Sequence, residues 1–74
     1  MIPPITHPCW KRLVNGQHEI RSSNLALNML VFNVRLRYKN DPSPENLAKL
    51  AEHSREFFVK FEPMVRPVVA GLLN

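Results

Sequence analysis

The clearest alternation of apolar and polar positions lies in the C-terminal half of the chain. From Ser43 onward, apolar residues recur every three or four positions. On a helix they would form one face, and the charged residues would lie on the opposite face. Ser43 is a suitable N-cap, and Pro44 suits a first helical turn. The apolar stripe continues in phase past Pro63 and Pro67, which both project from its other side. We therefore predict one helix over residues 44–73 that bends at its prolines, or two collinear helices that meet near Pro63.

The preceding segment, residues 17–40, has apolar residues on two sides when it is drawn as a helix. No proline or glycine interrupts it. A short turn would allow one apolar side to pack against the C-terminal helix, and the second side would need another covering surface. The first side contains Ile20, Leu27, Leu30, Val31, Val34 and Tyr38, and the second contains Leu25, Met29, Phe32 and Leu36.

Part of the same segment also has the pattern of a β-strand. "FNVRLRYK", residues 32–39, alternates strictly between apolar and polar residues and ends at the turn-forming "NDPSP". A strand without a neighbour in its own chain would have to pair with a strand of a second chain. We prefer the helix because it accounts for residues 20–38, whereas the strand accounts only for residues 32–39.

The strand alternative resembles one known family. "FNVRLR" followed by "ENLAKLAEHS" is similar, over roughly half the chain, to the ribbon-helix-helix repressors. The resemblance implies a dimer in which paired strands enter the DNA major groove, with Asn33, Arg35 and Arg37 on the base-reading face. The chain departs from the family where "LAEHSREFFVKF" continues without a break between two helices.

The N-terminus predicts an extended arm and a short helix. Residues 1–8 contain three prolines, which favour extended backbone. Residues 9–15 then form a short helix that Gly16 ends. Trp10 lies on the apolar side of this helix and is interpreted as a packing anchor.

Together these elements predict an all-α fold for residues 1–74, as one small domain. A short N-terminal helix precedes a long antiparallel helical hairpin whose second helix bends at prolines. Two such hairpins could pair into a four-helix bundle, which would cover the second apolar side of residues 17–40.

Size and composition favour association with another surface. The chain has 74 residues, is 45% hydrophobic and contains a single cysteine, so no internal disulfide can stabilise it. A core of this size supplies only about 3–5 kcal/mol. The net charge is +4, with +5 in residues 1–40 and −1 in residues 41–74. The basic first half would attract phosphate, anionic lipid or an acidic protein.

Candidate chemistry is sparse. Cys9 could act as a nucleophile with His7 or His18 as its base, but no motif places them in contact. Glu52 and Glu56 lie one turn apart on the polar side of a helix and lack the companion residues of a metal site. Only two glycines are present, too few for a phosphate-binding loop. We expect no enzyme activity, no cofactor and no metal.

The favoured function is therefore a non-catalytic protein–protein interaction module that acts as an adaptor, accessory subunit or inhibitor. Its partner would be another protein or a second copy, and a DNA-binding dimer is the competing class. We expect a cytoplasmic location, because no signal peptide or membrane span is visible. The predicted contact residues are Trp10, Met29, Phe32, Leu36, Val68 and Leu72, with Arg35, Arg37 and Lys39 as a basic rim.

Overall fold

A computed structural model describes all residues from 1 to 74 and contains four helices and no strands. The helices are α1 (Cys9–Val14), α2 (Leu25–Asn40), α3 (Pro44–Lys60) and α4 (Glu62–Leu72). Helix α3 contacts each of the other three, and α1 also packs against α2. The all-α prediction is confirmed. Residues 32–39 are helical, so the strand alternative is wrong for this structure.

The N-terminal arm folds back onto the helices. Pro3 is buried, and its carbonyl accepts hydrogen bonds from Trp10 Nε1 at 3.3 Å and from Arg55 Nε at 2.7 Å. Helix α1 ends at Val14, one residue earlier than predicted. Gly16, two residues later, has φ +80°, a backbone conformation that residues with a side chain rarely adopt. The arm therefore belongs to the packed structure.

Helix α2 begins at Leu25, so the predicted start at residue 17 is wrong. The Asn24 side chain accepts a hydrogen bond from the Leu27 backbone N–H at 2.9 Å, which makes Asn24 the N-cap. Ser22 Oγ in turn accepts from the Asn24 backbone N–H at 3.0 Å. Short polar side chains that hydrogen-bond to nearby backbone favour caps and turns over helix interiors. Residues 17–24 are therefore not helical, although they contain no proline or glycine.

Helices α3 and α4 are separate, and Phe61 lies between them. Ser43 caps α3 by accepting from the Asn46 backbone N–H at 3.1 Å, and Pro44 occupies the first turn, as predicted. Phe61 leaves helical geometry at φ −112° and ψ 36°, and Pro63 then occupies the first turn of α4. Placed end to end, these helices would extend about 42 Å. The longest dimension of the molecule is 31 Å, so they are not collinear.

The core lies where the four helices meet. The Trp10 ring packs edge-on against Phe58 with ring centroids 5.1 Å apart, and both residues are fully buried. Ser54 is the one buried polar residue, and its hydroxyl donates to the Leu50 carbonyl at 2.8 Å. The remaining buried apolar residues include Cys9, Leu13, Val14, Leu27, Leu30, Val31, Val34, Leu50, Ala51, Val65, Val68, Val69 and Leu72.

Candidate interaction surface

Helix α2 carries an exposed apolar face that we call the outer stripe. Its four residues are Leu25, Met29, Phe32 and Leu36, with exposed fractions of 72%, 56%, 67% and 46%. At 100° per residue they lie within an arc of about 60°. The residues that α2 contributes to the core lie on the opposite side of the helix. The two apolar sides seen in the sequence are therefore one buried face and one solvent-facing stripe.

A shallow groove lies beside the outer stripe. Four of its lining residues are apolar and three are polar or charged: Ile20, Val31, Phe32 and Leu36, with Asn28, Arg35 and Lys39. The volume of the groove is about 440 Å³. The loop before α2 thus extends the apolar surface beyond the helix itself.

The surroundings of the outer stripe are neutral at the N-terminal end of α2 and basic at the C-terminal end. Residues 25–40 contain no acidic residue. Asn28 and Asn33 lie exposed on the two flanks of the stripe, and the exposed cations Arg37 and Lys39 lie near its end. The outer stripe therefore presents apolar and amide groups along most of its length, and positive charge only at the C-terminal end of α2.

Arg35 has a structural role that the sequence pattern does not indicate. Its Nε donates to the Leu13 carbonyl at 2.8 Å, and its Nη2 donates to the His18 carbonyl. Burial lowers the pKa of the Arg35 guanidinium from its ordinary value, although arginine stays charged at neutral pH. The guanidinium joins α2 to the end of α1 and the following loop, so it does not belong to an exposed basic rim. The two carbonyls lie 22 and 17 positions before Arg35 in the chain, so no local sequence pattern could have predicted these hydrogen bonds.

Three other predicted contact residues lie inside the molecule. Trp10 is fully buried, and its Nε1 donates to the Pro3 and Pro4 carbonyls at 3.3 and 3.1 Å. Val68 and Leu72 are 8% and 0% exposed and form part of the core between the helices. Their apolar character is accounted for by packing within this chain. Met29, Phe32 and Leu36 remain on the surface.

Cys9 and His7 are neighbours, but their contact involves the backbone. The Cys9 backbone N–H donates to His7 Nδ1 at 3.0 Å, at the start of α1. Burial raises the pKa of the Cys9 thiol, and the nearby Arg12 charge opposes that shift. A fully buried neutral thiol is a poor nucleophile.

The rest of the surface also contains shallow hollows. Two of them have mainly apolar linings, one beside Met1, Ile2 and Leu73 and the other beside Ile5 and Leu47. A larger hollow of about 670 Å³ between α2 and α3 is lined by eight residues, of which only Leu30 and Leu50 are hydrophobic. No three His, Cys, Asp or Glu side chains lie close enough to hold one metal ion. None of the helices combines the length and the apolar character that a bilayer-spanning helix needs. What distinguishes the outer stripe is that four exposed large apolar side chains lie on one helix, whereas α3 and α4 carry one each, Val59 and Met64.

The ribbon-helix-helix resemblance does not extend to the fold. Asn33 and Arg37 lie on one side of α2, and Arg35 points to the other side, where its guanidinium is bonded to backbone carbonyls. These three side chains do not share a face that could read DNA bases. No protein-family model matches the chain, and neither does any curated protein or solved structure.

Proposed function

We propose that this chain is a non-catalytic protein–protein interaction module and that the outer stripe of α2 is its contact surface. The observation that supports this is the continuous exposure of four large apolar side chains along three turns of one helix. Together they expose roughly 400 Å² of apolar surface, which is within the range of about 300–600 Å² for the largest patch on a single chain, and such patches are often functional.

The energetics agree with an association surface of modest strength. Removing about 400 Å² of apolar surface from water would contribute about 10 kcal/mol. Association costs about 4–15 kcal/mol in lost translational and rotational freedom. The outer stripe can therefore support binding when the opposing surface is also apolar and complementary in shape.

Arg37 and Lys39 would serve as the rim of this surface. Both side chains are exposed near the C-terminal end of α2, where they can influence the rate of encounter with a partner. Arg35 is excluded from that role because its guanidinium is bonded to Leu13 and His18. An adaptor, an accessory subunit and an inhibitor would all use the surface in this way.

The test is site-specific photo-crosslinking in the cells that produce the protein. A photoreactive phenylalanine analogue replaces Phe32 in one variant and Val59, which is 49% exposed on α3, in a matched control. We expect position 32 to give a discrete protein adduct and position 59 to give none. The proposal fails when position 32 forms no protein adduct, or when both positions give the same adducts.

A further inference from the structure

The spacing of the outer stripe is symmetric. Leu25, Met29, Phe32 and Leu36 are separated by four, three and four positions. This is an alternation of coiled-coil d and a positions, with Leu25 and Phe32 at d and Met29 and Leu36 at a. The interval pattern reads the same in both chain directions, as an isologous contact between two antiparallel helices requires.

We propose that the outer stripe binds a second copy of this chain, with the two α2 helices packed antiparallel about a twofold axis. This rests on the proposed function, since it names the occupant of the same surface. Leu25 would pack against the partner's Leu36, and Met29 against the partner's Phe32. Each contact occurs twice, so eight apolar side chains leave water. Methionine sulfur also packs favourably against aromatic rings.

The charge distribution along α2 agrees with the antiparallel arrangement. Its cations lie between positions 35 and 39, and residues 25–34 are uncharged. Antiparallel packing places Arg37 about 20 Å along the axis from the partner's Arg37. Salt screens exposed charges beyond about 8–10 Å. A parallel pair would bring all the cations of both helices together at one end.

The residues beside the outer stripe argue for a second copy over an acidic helix of another protein. Between Leu25 and Leu36 the flanking e and g positions include Ala26, Asn28 and Asn33, which carry no charge, and the charged Lys39 follows only at the next d position. Arg35, at the remaining flanking position, is bonded to backbone carbonyls. Charges at these positions normally select a differently charged partner helix. Because residues 25–34 carry no charge that could select a partner helix, the apolar pairing decides along this part of α2, and that pairing is self-complementary.

The expected affinity follows from the size of the contact. Helix α2 has 16 residues and is about 24 Å long. A contact over this length buries on the order of 1,000 Å² in total, near the lower limit of specific interfaces. We therefore expect a dissociation constant in the range of roughly 1–100 µM.

Sedimentation equilibrium over a concentration range that spans this value is the first test. The mass of the unmodified chain is expected to rise from 8.6 kDa towards twice that value. Phe32→Glu places a charge at the centre of the contact and is expected to raise the dissociation constant at least about 30-fold. Val59→Glu, the matched control on α3, is expected to change it less than about 3-fold. Far-ultraviolet circular dichroism checks that both variants keep the helical fold.

The outcomes separate the two proposals. A chain that stays at 8.6 kDa at all concentrations overturns the second-copy proposal. The protein-interaction proposal then still stands if position 32 crosslinks to a different protein in cells, and it fails if position 32 crosslinks to none. Equal weakening of self-association by Phe32→Glu and Val59→Glu also overturns the assignment of the contact to α2.

Spin labelling tests the orientation. Asn40→Cys provides an exposed label at the end of α2, while Cys9 is fully buried. In the antiparallel dimer the two labelled positions lie about 30 Å apart, and in a parallel dimer they lie within about 15 Å. A long distance measured by pulsed electron paramagnetic resonance supports the proposal, and a short one overturns it.

Discussion

Arg35 shows how the position of one side chain changes the interpretation of a basic segment. The guanidinium donates to the carbonyl of Leu13 at the end of α1 and to the carbonyl of His18 in the loop that follows. Arg37, two positions later, makes no side-chain hydrogen bond to the protein and lies exposed. Two arginines that look equivalent in the sequence therefore have different roles, one in stability and one at the surface.

We expect Arg35→Met to lower the free energy of unfolding by about 1.5–3 kcal/mol, because two carbonyls lose a charged donor. Arg37→Met, the matched control, should change it by less than about 0.5 kcal/mol. Urea denaturation followed by circular dichroism measures both values. Equal effects of the two substitutions would contradict the assignment of Arg35 to the fold.

At the scale of elements, local capping sets the helix boundaries more than the extent of the apolar pattern does. The apolar periodicity that begins at Ile20 suggested a longer helix than the observed α2, which begins at Leu25. Ile20 packs against the core from the loop instead. Where a cap and a proline occur together, as at the start of α3, the sequence located the boundary correctly.

The start of α2 depends on the Asn24 cap. Asn24→Ala is expected to destabilise the protein by about 1 kcal/mol, because the Leu27 backbone N–H loses its acceptor. Asn24→Ser keeps an oxygen at that position and should cost only a few tenths of a kcal/mol. Thermal unfolding of both variants measures the difference. A serine variant as unstable as the alanine variant would show that capping is not the cause.

At the scale of the whole molecule, the N-terminal arm completes the core. Pro3 is buried, and its carbonyl accepts hydrogen bonds from Trp10 on α1 and Arg55 on α3. Ile2 packs against the same core. The sequence predicted an extended arm, and the structure shows that the arm packs against this chain's own core.

Removal of residues 1–4, leaving an initiator methionine before Ile5, is expected to destabilise the fold by about 2–3 kcal/mol. The indole N–H and the Arg55 guanidinium both lose an acceptor in that variant. Ile5→Ala alters an exposed part of the same arm and should cost less than about 1 kcal/mol. Urea denaturation compares the two. Full stability of the truncated chain would show that the arm contributes nothing to the fold.

The sequence by itself favoured the helical class, because the apolar residues of both halves recur at helical spacing and the start of α3 carries its own cap, although residues 32–39 also fitted a strand. It also identified Met29, Phe32 and Leu36 as a second apolar side of one helix. Only the tertiary structure decided which apolar side is buried, since periodicity describes a helix without its neighbours. The same holds for Trp10, Val68 and Leu72, whose burial depends on contacts between residues distant in the chain. Arg35 likewise acquires its role only when folding brings the carbonyls of another helix and loop within reach.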